Sequence, residues 1–485
     1  MCDYVEGSDR GQALVLPDTI DEYVDEENEV RFIDAFIETL DLVQLGFTHS
    51  KPKEEGRPPY DPRDMLKLYV YGYLNQVRSS RKLEKECHRN VEVLWLMKKL
   101  APDFKTIADF RKENVDCIKP VFKEFTYLCR SLDLFGAELV AIDGSKFKAV
   151  NSEERNLNEK ILAERLRRVE EKIIAYLKEM EENDKADDRR NKSRRAEKLK
   201  EKIGKLEQKR QEYLRIQAEM KASGQKQVSL TDPDSRLMRV DRQKFDVCYN
   251  IESAVDARHH LIVDYDATNN SDDHNQLARM AELAKETLHV SRLAVMADKG
   301  FYDGKQLEEC EGNGIVTYVP IQRESINKTV GVPEPEFYTR RFLYDPLTDT
   351  YTCPAGHRLE FWNHTSIGKT ATLGRLYRTG ACGTCPSRSR CTRNKRGRRV
   401  FRAEYQSAIE RLRARLDTDN GLDKLKRRRE IAEHPFGTMK RAFNQSYLLL
   451  KGLRKVNGEV GFMMLAYNMR RAINVVGVKG LIGSI

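Results

Sequence analysis

No segment of this 485-residue chain approaches the ~20 consecutive apolar residues that a membrane-spanning helix requires. The opening residues MCDYVEGSDRGQ lack the basic stretch and apolar run of a secretory signal. The expectation is a chain with no membrane partner and a cytoplasmic location. A cysteine framework of evenly spaced pairs is also missing. Of the ten cysteines, Cys2, Cys87, Cys117, Cys129, Cys248 and Cys310 are scattered and read as small buried hydrophobes. The remaining four crowd together, and without a secretory signal such a cluster favours a metal over disulfides.

What is present is charge. Lys and Arg number 86 against 76 acidic residues, a net charge of +10 that favours a polyanionic partner. With 40% hydrophobic residues the chain is long enough to bury a sizeable core in two to four structural units.

Residues 1 to about 130 read as helical, in DEENEVRFIDAFIETLDL, DPRDMLKLYVYGYLNQ and SSRKLEKECHRNVEVLWLMKKL. Asp61 before Pro62, and the pair Ser79-Ser80, are helix-start signals. Arg78, Arg81, Lys82, Lys85 and Arg89 suit either a helix-turn-helix or the solvated face of a small bundle. The pattern turns to β in ELVAIDGSKFKAV, where an apolar run ends at Asp143-Gly144 and predicts a buried strand with Asp143 at its tip. Residues 152–222 then carry Leu162, Leu166, Val169, Ile173, Leu177 and Met180 at spacings of three and four. After the charged gap ENDKADDRRNK, the spacing resumes in Leu199, Ile203, Leu206, Tyr213 and Met220, which predicts an antiparallel helical hairpin. KFDVCYNIESAVDARHHLIVDYDAT reads as a β-hairpin turning at Asp256-Ala257-Arg258, and SDDHNQLARMAELAKETL as a helix with an Asp-rich start. SRLAVMADKGFYDG is a second buried strand, ending at Asp298, and GIVTYVPI a third. GEVGFMMLAYNMRRAINVVGV predicts an amphipathic helix packed on the sheet.

In RRREIAEHPFGTMKR, Arg429, Glu433 and Lys440 stand four and seven residues apart, on one face of a regular helix. Two aspartates at strand tips and a helix-borne glutamate are a donor set for two Mg2+ or Mn2+ ions in phosphoryl transfer, with the flanking cations facing phosphates. The segment from 323 to 419 carries the clustered cysteines. CPAGH and CGTCPSRSRC offer Cys353, Cys382, Cys385 and Cys391 as a zinc-ribbon-like set, with His357 as an alternative ligand to one Zn2+. The basic run CTRNKRGRRVFR follows, with Arg393, Lys395, Arg396, Arg398, Arg399 and Arg402 suited to a DNA backbone.

Taken together, AIDGSKFKAV, VMADKGFYDG and the RxxxExxxxxxK helix resemble the DDE transposases of bacterial insertion sequences, and the resemblance covers nearly the whole chain. GRPPYDPRDMLKLYVYGYLNQVRSSRKLEKEC and DFKTIADFRKEN resemble the N-terminal helical domain of such proteins. TDPDSRLM resembles a recurrent stretch in the subgroup with an inserted hairpin, and the late helix with Asn468 and Arg470 resembles their terminal helix. Where the family's third-acid helix often has a tyrosine, this chain has Lys426. The resemblance implies an α/β fold with a ribonuclease-H-like mixed-sheet catalytic core over 131–322 and 420–480. It adds an N-terminal all-α DNA-binding domain over 1–130, the hairpin insertion 152–222 and the cysteine-rich insertion 323–419. It implies Asp143, Asp298 and Glu433 as metal-binding catalytic residues and Arg429, Lys440 and Lys299 as DNA contacts. The implied partners are double-stranded DNA, as element ends and target, and a second copy in a synaptic homodimer, within a nucleoid-associated setting. Two rivals are an inactive, domesticated DNA-binding relative and a two-metal nuclease without strand transfer.

Overall fold

In the computed structural model, residues 19–51, 58–151, 153–184, 189–241, 243–321, 333–367 and 372–485 are described. Cys2, the opening MCDYVEGSDRGQ, the start of GRPPY and the centre of the charged gap ENDKADDRRNK lie outside them. The N-terminal helices are α1 (Glu29–Glu38), α2 (Pro62–Leu74), α3 (Ser80–Arg89), α4 (Val91–Leu96), α5 (Phe104–Glu113) and α6 (Ile118–Ser131). There follow β1 (Leu139–Lys148), β2 (Asn156–Asn158), α7 (Glu159–Asp184), α8 (Arg189–Ser223), β3 (Gln227–Ser229), β4 (Arg236–Arg239), β5 (Phe245–Asp256) and β6 (Ile262–Thr268). Next come α9 (Leu277–Leu288), β7 (Leu293–Ala297), α10 (Gly304–Gly312) and β8 (Ile315–Tyr318). A second run of strands is β9 (Leu343–Asp345), β10 (Thr350–Thr352), β11 (Arg358–Ile367) and β12 (Thr372–Arg378), with the short α11 (Arg388–Cys391) before β13 (Arg399–Ala403). The chain then forms α12 (Gln406–Leu416), α13 (Asp419–Gly437), a π turn (Thr438–Ala442), α14 (Leu453–Val476) and α15 (Val478–Ile482). This is a mixed α/β fold with an N-terminal helical region, compatible with a ribonuclease-H-like core.

The described residues divide into two compact units. One holds those up to 136 with 144–272 and 432–485, and the other holds 137–143 and 273–431. In the first unit, local chemistry sets the helix ends. Asp61 caps α2 by accepting from Arg63 N at 2.8 Å, with Pro62 in the first helical position. Asn90 ends α3 and begins α4, accepting from Val93 N, so the third predicted helix is two. Of the five basic residues read as one face, Arg78 turns inward: it is 5% exposed and donates to Tyr447 O and Asn444 O. The others, on α3, remain exposed.

Helix α14 departs from the sequence expectation. Every residue from Gly458 to Met469 is buried, so the helix is enclosed rather than amphipathic. It packs on α2 and α6 as well as on β6, and the rings of Tyr69 and Tyr73 stack on Phe462 with centroids 5.3 and 5.1 Å apart. Asn468 docks it to β6 by accepting from Ile262 N at 2.8 Å and donating to Ile262 O at 2.7 Å. The TDPD stretch prepares its start: Asp232 accepts from Gly452 N and Asp234 from Leu453 N, two carboxylates at the positive end of a helix. Helices α7 and α8 form the predicted hairpin, with Leu162, Leu166, Val169, Tyr213, Ile216 and Met220 buried between them. Leu177 stays 46% exposed.

In the second unit, β1, β7 and β8 run parallel, connected after β7 by α10. The cysteine-bearing segment folds as a five-stranded antiparallel sheet in the order β13-β12-β11-β10-β9. Its core is Phe342, Tyr351, Leu359, Tyr377 and Val400. Asp349 accepts from the hydroxyls of Tyr344 and Tyr377 at 2.8 and 2.6 Å, which lets tyrosines serve as core residues.

Candidate active site

Strand β1 carries Asp143, but not at its tip. The strand continues five residues further, to Lys148, because backbone pairing outlasts the apolar run. The register with β7 runs from Leu139 opposite Ala294 to Ile142 opposite Ala297. The next residues are Asp143, still on β1, and Asp298, just beyond the end of β7, so the two half-buried aspartates follow one register pair. Asp298 caps a 3-10 turn over Lys299–Phe301, its carboxylate accepting from Gly300 N. A side chain at Gly300 would meet the carboxylates of both Asp298 and Asp273, at 2.9 and 3.2 Å, so glycine here permits two acids to approach one turn. Asp273 was missed by the sequence reading, which placed it in a helix start. In the structure α9 begins only at Leu277. Lys299 is exposed beside the pair.

The cation paired with Asp143 is Arg428, its Nη1 lying 3.6 Å from Oδ2 with both side chains largely shielded. Arg429, the residue singled out by spacing, is exposed on α13. Glu433 is also exposed, one turn further along the same helix and within the first unit. The regular stripe does not extend to Lys440: α13 contains Pro435, ends at Gly437 and passes into the π turn, whose wider winding changes the phase. Within the first unit Lys440 reaches β1, donating to Ser145 Oγ at 2.7 Å and Lys146 O at 2.8 Å over the ring of Phe147. Its ammonium therefore fastens the turn after Glu433 to the strand after Asp143. His434, next to Glu433, bonds through Nδ1 to Tyr467 Oη at 2.8 Å, and Tyr467 donates to His260 O.

Cys353, Cys382, Cys385 and Cys391 line one small pocket of the second unit, with His357 and Arg398. The sulfur of Cys353 accepts from His357 N at 3.3 Å and that of Cys382 from Arg398 N at 3.4 Å. Burial pushes the Cys391 thiol up. Among the described residues no group of three or more His, Cys, Asp or Glu side chains is arranged as a ready metal shell. The fit to metals therefore rests on donor chemistry: carboxylates for a hard divalent ion, thiols for a softer one.

Two comparisons bear on this arrangement. Residues 18–113 match a transposase domain family, DUF772. Residues 352–473 match the transposase DDE domain family, a span that includes the four clustered cysteines, Arg429, Glu433 and Lys440. No curated protein matches the chain, and no solved structure does. The N-terminal helices and the segment carrying Glu433 are thus each similar to transposase domain families, the second of them the transposase DDE domain.

Proposed function

We propose that this transposase binds the ends of its element, cleaves phosphodiester bonds there and joins the freed 3'-hydroxyls to target DNA. Asp143, Asp298 and Glu433 are the proposed site. The observation that carries the reading is the β1–β7 register, whose last pair, Ile142 and Ala297, comes just before Asp143 and Asp298. Adjacent carboxylates repel one another, and a site that keeps both is suited to divalent cations. Two Mg2+ or Mn2+ ions held by the three acids would activate the attacking oxygen and stabilise the leaving one. Arg428 offsets charge at Asp143, while Lys299 and Arg429, both exposed, are proposed to meet phosphates. Lys440 is proposed to position the helix end as well as to contact DNA. Synapsis of two ends calls for a homodimer, and a DNA substrate for a nucleoid-associated location.

The four cysteines are proposed to hold one structural Zn2+. The shared pocket and the two backbone bonds to sulfur support this. Since the half-buried Cys391 thiol must lose a proton to bind, zinc affinity should fall as pH is lowered. Both proposals can be tested on one preparation. Metal analysis should find close to one zinc per folded chain, and zinc-free folded protein removes that assignment. Incubation with Mg2+ and a donor plasmid carrying the element ends should give joined products. Cleavage without joining would leave a nuclease, and neither activity would leave a DNA-binding relative.

A further inference from the structure

The basic run after Cys391 does not act as one patch. Arg398 donates to Thr339 Oγ1 at 2.9 Å and lies over Phe342. Arg402 is committed to Glu410 and to Tyr351 Oη. Arg399 differs. On β12 and β13, Tyr377 pairs with Val400, both in the core, and side chains alternate along a strand. Arg378 and Arg399, the next pair in register, therefore face the other side of the sheet, directly opposite one another. Like charges in that position destabilise a sheet. The compensation is Trp362, whose ring centroid lies 4.1 Å from the Arg378 guanidinium carbon and 5.1 Å from that of Arg399. Trp362 sits at the register break between Phe361 and Asn363, where a bulge re-aims a side chain, and it is 36% exposed.

We infer that Trp362, Arg378 and Arg399 form a contact for the phosphate backbone of duplex DNA on the outer face of this sheet. The inference rests on the reading that the protein acts on DNA, and goes beyond it by assigning a surface apart from the three acids. Two guanidinium groups held side by side by a tryptophan are preorganised for phosphates. A polyanion relieves the repulsion that the sheet otherwise carries.

The chain has two tryptophans, so Trp95→Phe leaves Trp362 as the sole emitter. Titrating that variant with a random-sequence 30-base-pair duplex should change Trp362 emission to saturation. In the otherwise native chain, the double variant Arg378→Gln/Arg399→Gln should lower the slope of log Kd against log salt by about two, while Arg378→Lys/Arg399→Lys keeps it. Melting curves confirm that each variant folds. Duplex binding by the native protein, with unchanged Trp362 emission and an unchanged slope in the glutamine variant, overturns this inference alone. Failure of the native protein to bind any DNA overturns it together with the proposed function. Tighter binding of a single strand of equal length through Trp362 overturns the duplex assignment.

Discussion

Asp298→Asn should lower DNA strand cleavage by about 10⁴-fold or more, the scale seen when one member of a catalytic set is removed. Its melting temperature should be unchanged or higher. Both halves follow from the same geometry. Asp143 and Asp298 succeed the paired residues Ile142 and Ala297 on parallel strands, and such strands lie about 4.8 Å apart. Like charges side by side on neighbouring strands repel one another. Arg428 offsets part of this at Asp143. Asparagine keeps an acceptor for Gly300 N, which the Asp298 carboxylate now holds, so the turn survives while the charge is lost. A site proposed to bind cations is thus expected to be less stable than its neutral variant. Cleavage assays and thermal melts on one preparation check both parts. A variant that cuts normally removes Asp298 from the chemistry, and one that unfolds shows the aspartate to be structural.

Glu459→Ala should destabilise the protein by about 3–5 kcal/mol, the scale for breaking a buried charge pair. Glu459 is fully buried on α14 and accepts from Leu449 N and Leu450 N at 2.8–2.9 Å. Arg78 Nη1 lies 3.8 Å away, itself shielded and stacked over Tyr447 at 4.5 Å. Removing the carboxylate leaves two backbone donors unpaired and a guanidinium without its counter-charge. These contacts order residues 443–452, the segment that follows Lys440. Urea denaturation should therefore show a lower midpoint for Glu459→Ala and a smaller loss for Glu459→Gln, which keeps an acceptor. A loss below about 1 kcal/mol for alanine would mean that other contacts order this segment.

Much of the fold was legible because its signals are periodic. The three- and four-residue spacing in 162–180 and 199–220 gave the hairpin, and the apolar runs at Leu139–Ile142 and Leu293–Ala297 gave two strands with an aspartate after each run. The misreadings have physical causes. Strand β1 runs past Asp143 because backbone pairing needs no apolar side chains, and only Phe147 of its last five residues is buried. Helix α14 looked amphipathic because Asn468 and Glu459 are polar, yet both are buried with their hydrogen bonds made. The five-stranded sheet was hidden because its core is small, with tyrosine at two of its five positions, and its strands are interleaved with arginine. At the site, three consecutive arginines at 427–429 give no way to choose the one facing Asp143. Spacing selects Arg429 as a phosphate contact and says nothing of Arg428, which pairs with Asp143 in the fold. Lys440 was placed on a stripe by assuming regular winding through Pro435 and a π turn.

The central claim is that Glu433 shares a divalent-metal site with Asp143 and Asp298. Its most direct test is Mn2+ titration of the folded protein, followed by electron paramagnetic resonance or calorimetry, for the native chain and for Asp143→Asn, Asp298→Asn and Glu433→Gln. Saturable Mn2+ binding is expected for the native chain, with a loss of about tenfold or more in affinity in each variant. Native-like Mn2+ binding by Glu433→Gln would contradict it.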